Sequence, residues 1–242
     1  MTFFPFFYGK KFKFFCYGSY VLRLIPEMGV LIEKTAVISD LHLGIENAMQ
    51  NSGIALPRMQ IMDVIERTKR LLEKYDVEKL VIAGDLKHEF GENLPYEWDD
   101  VRSFLNSLDV EVSVVRGNHD NFLAAILKDY SIELKEKEVV KGYTIVHGHK
   151  DCEERKLILG HEHPAIKIRF RGANYSFPCF LVLNDTQIVL PAFSKLVAGS
   201  DILQTEFLSP IVKRAEKIEV YAVESEIFYL GELRVLRNIL QA

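Results

Sequence analysis

Cysteine is scarce in this chain, and what there is follows no pattern. Cys16, Cys152 and Cys179 are three in number, odd and without a short repeat spacing, which argues against a disulfide framework and for a reducing compartment. Net positive charge is lacking too. The 30 Lys and Arg stand against 34 Asp and Glu, a formal charge of -4, so no overall basic balance announces a polyanion partner. Any affinity for nucleic acid has to come from a local site. No stretch reaches the roughly 18 consecutive apolar residues of a membrane helix. Internal repeats, low-complexity tracts and a clear linker are absent as well.

What is present is enough apolar material for a sizeable core: 48% of 242 residues, consistent with one domain. The opening Phe3, Phe4, Phe6, Phe7 and Tyr8 is interrupted by Pro5 and by Gly9-Lys10-Lys11. It reads as an aromatic edge hairpin turning at Tyr8 to Lys11, not as a targeting segment. The expectation is a soluble cytoplasmic protein with no membrane partner.

Short apolar runs rich in β-branched residues recur along the first two thirds of the chain. Thr35 to Ser39, Leu80 to Ala83, Val110 to Val115, Tyr143 to Val146 and Leu157 to Leu159 have the length and composition of strands buried in a sheet. Helical spacing separates the early ones. Ile61, Ile65, Thr68 and Leu72 form a stripe in a helix expected to open at Pro57. Trp98, Val101, Leu105 and Leu108 form another in a helix opening at Pro95, with Trp98 as a core anchor. A short helix over Phe122 to Leu127 and charged hairpin material through Glu138 follow. Beyond Pro164 the pattern becomes strand after strand: Phe180 to Leu183 with Gln187 to Leu190 around an Asn184-Asp185 turn, then Lys217 to Val223 with Glu226 to Leu230. The fold class expected is α/β, a four-layer α-β-β-α sandwich of two facing mixed sheets. It is read as a single domain over 1–242, with residues 164–242 completing the second sheet.

Each of those buried strands stops at a residue able to bind a metal. Asp40 and His42 follow the first, Asp85 the second, Asn118 the third, His147 the fourth, and His161 with His163 the fifth. The C-terminal edges of strands are where open α/β sheets keep their ligands. Two aspartates, one asparagine and four histidines are too many donors for one ion and suit two that share a carboxylate. Oxygen and nitrogen donors without thiolate fit manganese, iron, cobalt, nickel or zinc, not a structural Cys zinc site. Two such ions about 3.5–4 Å apart clamp the oxygens of an in-line phosphoryl displacement. A lone Asp-x-His or His-Gly-His is unspecific; the weight lies in the set and its order.

Asp40-x-His42, Gly84-Asp85, Gly117-Asn118-His119-Asp120, His147-Gly148-His149 and Gly160-His161-x-His163 resemble the five signature blocks of the calcineurin-like metallophosphoesterase family, spanning 40–163. Ser39 to Gly44, Pro164, Pro178-Cys179-Phe180 and Leu190 to Ser194 are similar to its small prokaryotic SbcD-related branch, which includes DNA-ligase- and helicase-associated enzymes. The resemblance implies that Asp40, His42 and His163 hold one divalent ion. Asp85 then bridges, and Asn118, His147 and His161 hold a second, with manganese the expected metal. It implies further that His119 is the general acid and that Asp120 orients it. An imidazole is the side chain whose ordinary pKa suits proton transfer near neutrality. Arg116, Lys87, His88 and His149 lie beside ligand positions and are the candidates for contact with phosphate oxygens, against the plainer reading of a solvated rim.

The activity this implies is hydrolysis of a phosphodiester, with DNA, as single strands or ends, the expected substrate in repair or processing. A helicase or ligase partner and a homodimer are among the expectations. The alternatives are an enzyme acting on small or cyclic nucleotides, and a non-catalytic scaffold of the same fold.

Overall fold

In the computed structural model, described for residues 14–17, 20–54, 56–91, 94–170 and 172–240, the alternation of strand and helix comes first. Strands β1 (Phe14–Tyr17), β2 (Tyr20–Ile25), β3 (Gly29–Ile32) and β4 (Thr35–Ile38) precede helices α1 (Ile45–Asn51) and α2 (Gln60–Lys74). Then come β5 (Lys79–Ala83), α3 (Pro95–Asn106), β6 (Glu111–Val115), α4 (Leu123–Leu127), β7 (Leu134–Lys135), β8 (Glu138–Val140), β9 (Tyr143–Ile145) and β10 (Leu157–Leu159). The remainder is β11 (Pro164–Phe170), β12 (Ala173–Leu183), β13 (Gln187–Val189), β14 (Ser200–Asp201), α5 (Pro210–Lys213), β15 (Ile218–Val223), β16 (Ile227–Glu232) and α6 (Leu233–Leu240).

Seven strands form one sheet in the order β1-β2-β3-β4-β5-β6-β7, antiparallel up to β4 and parallel from there. The second sheet runs β14-β11-β12-β13-β10-β9-β8, with β15 and β16 branching from β12. That branch exists because β12 is long. Its first half pairs with β11, and Cys179 to Leu183 pairs with β15.

Period-two alternation turns these strands into layers. On β4 and β5, Val37, Val81 and Ala83 face the second sheet, where they meet Ile145, Ile158, Phe180, Val182 and Ile188. Ala36, Ile38, Leu80 and Ile82 face the other way, onto Val64, Leu71, Val101, Phe104 and Ile126 from the helices. The outer face of the second sheet is covered by Ile211, Val212, Leu233 and Leu236. Helices, sheet, sheet and helices are the four layers expected.

The structure departs from the sequence reading in several places. The helix expected at Pro57 begins at Gln60, because the Glu46 carboxylate accepts from the Met59 and Gln60 N–H groups, both at 2.8 Å, and supplies the missing cap. Helix α1, which carries Glu46, and the C-terminal α6 have no counterpart in that reading. The charged segment before Glu138 is not a hairpin: β7 pairs with β6 in one sheet and β8 with β9 in the other. The turn expected at Tyr8 to Lys11 lies outside the described residues. Trp98 packs half-buried against the helix-side core, as expected of an anchor. Among the described residues, no helix is long and apolar enough to cross a membrane.

Phe180 is fully buried between the sheets. Replacing it by alanine should cost about 3–5 kcal/mol in a urea unfolding series; a loss below about 1 kcal/mol would mean the inter-sheet layer is not the main core.

Candidate metal centre

Strand register decides where the polar residues meet. Ile38 lies beside Ile82, and Ala83 beside Val115, so Asp40, Asp85 and Asn118 leave the first sheet along one edge. Ile145 lies beside Ile158 in the second sheet, which brings His147 and His161 out together. Each segment then turns sharply. Asp40, His42, Asp85, His161 and His163 all have positive φ, between 45° and 70°, a conformation costly for residues with a Cβ and concentrated at functional sites. Backbone hydrogen bonds hold the turns against one another: Asp40 N–H donates to the Gly84 carbonyl at 3.1 Å and His42 N–H to that of Asp85 at 3.0 Å.

Among the described residues, two groups of donors that include a carboxylate result, besides the cluster of the His42, His88 and His119 rings. Asp40, His42 and His163 can direct ligand atoms to within 4.8 Å of one another, and so can Asp85, His147 and His161. In the first, His163 Nε2 is 3.1 Å from Asp40 Oδ1 and 3.4 Å from His42 Nε2. In the second, His147 Nε2 is 3.2 Å from Asp85 Oδ2 and 3.1 Å from Asn118 Oδ1. Asp85 Oδ2 is also 3.7 Å from His42 Nε2, so one carboxylate oxygen stands between the groups. Its other oxygen accepts from the His119 N–H at 2.9 Å.

This donor set fits a pair of cations. His147 Nδ1 lies 3.0 Å from the Ala83 carbonyl, which can only accept, so the ring's proton belongs on Nδ1 and the Nε2 lone pair faces the carboxylates. Electron-rich atoms thus converge with no more than a proton to share. Burial is the main influence on His42 and His161, pushing them down to about 3 and about 4 and keeping them in the neutral form that binds metal. Burial opposes ionisation of Asp40, but His163 and then His147 outweigh it and hold the carboxylate ionised. In His147 burial is likewise outweighed, here by Asp85, and the ring is raised to about 9, so a second proton occupies Nε2 wherever no cation takes its place.

The motif glycines make this approach sterically feasible. A Cβ on Gly117 would lie 2.0 Å from Asp85 Oδ1, and one on Gly84 would lie 2.4 Å from His147 Nδ1. Gly84 therefore leaves room for the histidine ring.

Two residues do something other than the sequence implied. Asp120 does not orient His119. Its buried carboxylate accepts from the N–H groups of Asp85, Leu86, Lys87 and Gly117, at 2.8 to 3.4 Å, and so pins the Asp85 turn. His119 is oriented instead by the His88 carbonyl, which accepts from its Nδ1, leaving Nε2 4.0 Å from Asp85 Oδ2. Lys87 is not on the rim. It is fully buried, with Nζ donating to the Glu89 carbonyl and 3.8 Å from Glu97 Oε2. The remaining candidates stay beside the centre: the His88 ring meets His42 with Nδ1 atoms 3.4 Å apart, and the His149 ring is 5.3 Å from that of His147. Arg116 Nε pairs with Glu136 at 3.0 Å.

Sequence reasoning missed Gln60. Its amide donates to the Leu41 and His42 carbonyls at 3.1 and 2.9 Å and to Ser194 Oγ at 3.0 Å, bracing the first ligand turn from below. No local pattern marks a glutamine at a helix start for that task. The Phe193 and Ser194 N–H groups add a second brace, donating to the Ser39 and Asp40 carbonyls at 2.9 and 3.2 Å.

Comparison with known proteins gives a family model described as calcineurin-like phosphoesterase, which matches residues 33–189. Among solved structures the chain is similar to nuclease MPE of Pseudomonas putida, with TM-score 0.65 and 21% identity, covering 90% of this chain and 100% of that one. It is more distantly similar to the phosphoesterase Yfce of E. coli, with TM-score 0.41 and 16% identity over 82% and 97% of the two chains. A zinc complex of Vps29 from Entamoeba histolytica gives TM-score 0.31 and 16% identity over 82% and 98%. No curated protein matches the chain.

Because Asp120 secures backbone N–H groups and not the His119 ring, Asp120→Ala should lower both stability and metal loading. A destabilisation of about 3 kcal/mol or more is expected from amides left unsatisfied, read by thermal unfolding and by elemental analysis of the purified protein. A variant that keeps full stability and metal and loses only turnover would restore the orienting role.

Proposed function

We propose, from the premise that this chain belongs to the calcineurin-like phosphoesterase family and is thereby a metal-dependent phosphoesterase of the dinuclear kind, that it is a nuclease acting on DNA single strands or ends. The observation that carries the phosphodiesterase reading is the completeness of the donor set, two groups of Asp and His side chains with Asp85 Oδ2 between them. Asp40, His42 and His163 would hold one ion and Asn118, His147 and His161 the other, with Asp85 shared. Manganese suits these mixed oxygen and nitrogen donors. Such ions, when bound, supply Lewis-acid polarisation of the phosphoryl group and activation of water.

The chain's own residues supply the rest. His119 is the proton donor. Its Nδ1 is tied to the His88 carbonyl, so the proton it can give up is on Nε2, and the neutral ring left afterwards is the tautomer that carbonyl favours. The uncharged Asn118 adds a donor oxygen without adding negative charge around an anionic substrate.

Support for DNA comes from three sides. The likeness to a Pseudomonas nuclease extends over 90% of this chain. The blocks that resemble the SbcD-related branch include Leu190 to Ser194, whose backbone braces Asp40. Cationic Arg116 and Lys150 lie near the centre of a chain whose net charge is otherwise negative. A ligase or helicase partner and a homodimer belong to the same reading. That same charge of -4 favours the second reading, an enzyme for small nucleotides. A scaffold that had lost its site would have no reason to retain every donor.

A manganese-supplemented assay on single-stranded DNA, duplex DNA and a chromogenic phosphodiester tests the substrate. Single strands should be cut, and cutting should fall steeply with salt; salt-insensitive turnover of the chromogenic diester alone would favour small nucleotides. His119→Asn should reduce turnover by about 10²–10⁴ with bound metal unchanged. Asp85→Asn should weaken both ions together in a metal titration, and loss of one ion only would end its bridging role.

A further inference from the structure

Beside the metal centre lies a cavity of about 300 Å³ whose wall includes Arg116, Glu136, Val146, His147, His149 and Lys150. Its volume is at the lower end of small-molecule sites. The His149 ring continues the wall toward the second donor group, 5.3 Å from the ring of His147 and 6.1 Å from that of His161. Its Nδ1 is buried without a hydrogen-bond partner among the described residues. The cavity therefore shares a wall, His147, with the donor group of Asp85, His147 and His161.

Charge in this cavity is unevenly matched. Among the described residues Glu136 alone answers two cations, with Oε1 3.0 Å from Arg116 Nε and Oε2 3.1 Å from Lys150 Nζ. The other charged groups of the wall have partners elsewhere: Asp151 pairs with Arg214, and Lys137 with Glu154 at 3.5 Å. One carboxylate between two cations leaves a positive charge unanswered. Glu136 itself places two anionic oxygens against an Arg and a Lys, the arrangement a phosphate would make. Ion pairs this exposed contribute little by themselves and exchange readily.

We propose that Arg116 and Lys150 form a subsite for a second phosphate of the substrate, the non-scissile neighbour of the one at the metal centre, with Glu136 holding its place until it arrives. This rests on the polynucleotide reading above and sharpens it. A cyclic mononucleotide has no second phosphate to offer, whereas a nucleic-acid strand of three or more nucleotides does.

Two experiments on the metal-loaded protein keep the subsite separate from the nuclease reading. In the first, thymidine 3′,5′-bisphosphate and thymidine 5′-monophosphate compete with a chromogenic phosphodiester. The wild type should prefer the bisphosphate by about fivefold. Arg116→Ala and Lys150→Ala should each remove most of that preference, and Glu136→Gln should increase it. Equal inhibition by the two compounds, or a Glu136→Gln change in the same direction as the alanine variants, overturns the subsite. In the second, cleavage of a single-stranded oligonucleotide is followed against salt, and its log–log slope should become shallower by about 0.7 for each cation removed. An unchanged slope overturns use of the subsite by a strand. If DNA is not cut but the bisphosphate preference holds and responds to the variants, the nuclease reading falls and the subsite stands.

Discussion

One carboxylate oxygen, Asp85 Oδ2, is the point on which the site closes. It lies 3.2 Å from His147 Nε2 in one donor group and 3.7 Å from His42 Nε2 in the other. It can do so only because the two sheets present their strand ends side by side: His147 leaves β9 of one sheet where Asp85 leaves β5 of its partner. The inter-sheet core sets that spacing. Val81 and Ala83, just before the ligand, pack in the same layer as Ile145 and Ile158. A shift of one residue in either sheet would turn the ligands toward the wrong layer, because side chains alternate along a strand.

Holding Asp85 there is strained work for the backbone. Five ligand residues sit at positive φ, and at about 1–3 kcal/mol each their combined cost is comparable to the whole net stability of a typical domain. The turns persist because each is tied to buried residues. The Asp85 turn hangs on the four amides gathered by Asp120. The Asp40 turn is held by Gln60 from below and by Phe193 and Ser194 from beyond the last histidine. Burial of Asp120 raises its pKa to about 6, the neighbouring Asp85 adding to the effect, while the Gly117 N–H works against it. The amides are there to hold an anion in a place that would otherwise reject one.

This division of labour explains what was legible in the sequence. The ligands could be read because each follows a short, buried, apolar strand, and a strand buried on both faces writes a continuous apolar run. The supports could not. Glu46 caps a helix that starts 14 residues later in the chain, and the nearby Pro57 imitates an ordinary helix start. Lys79 and Lys135 meet at Glu138, at 2.8 and 2.6 Å, so the charged segment before β8 serves to join two sheets, though its sequence looks like a solvated hairpin. Asp120 misled by adjacency. Next to His119 in the chain, it points under the preceding turn instead.

His88 shows how such supports tie the parts of the site together. Its carbonyl fixes the Nδ1 proton of His119, and its ring places Nδ1 3.4 Å from His42 Nδ1. Two nitrogens at that separation need one proton between them. If Nε2 of His42 faces the carboxylates, its Nδ1 carries that proton and His88 accepts it, which puts the proton of His88 on Nε2. The tautomers of the proton donor and of a metal ligand are thereby set by one residue, whose ring stacks on that of His119 at 5.7 Å and 16°. The loop bearing it has to be rigid for this to work. His88 N–H donates to the Leu43 carbonyl at 3.0 Å, Leu43 and Lys87 form a parallel bridge, and the Lys87 ammonium is buried beside Glu97. Lys87 therefore serves the chemistry from the interior. A charge at the phosphate could be exchanged for another cation, but a buried lysine anchoring this loop cannot be lost without moving donor and ligand together.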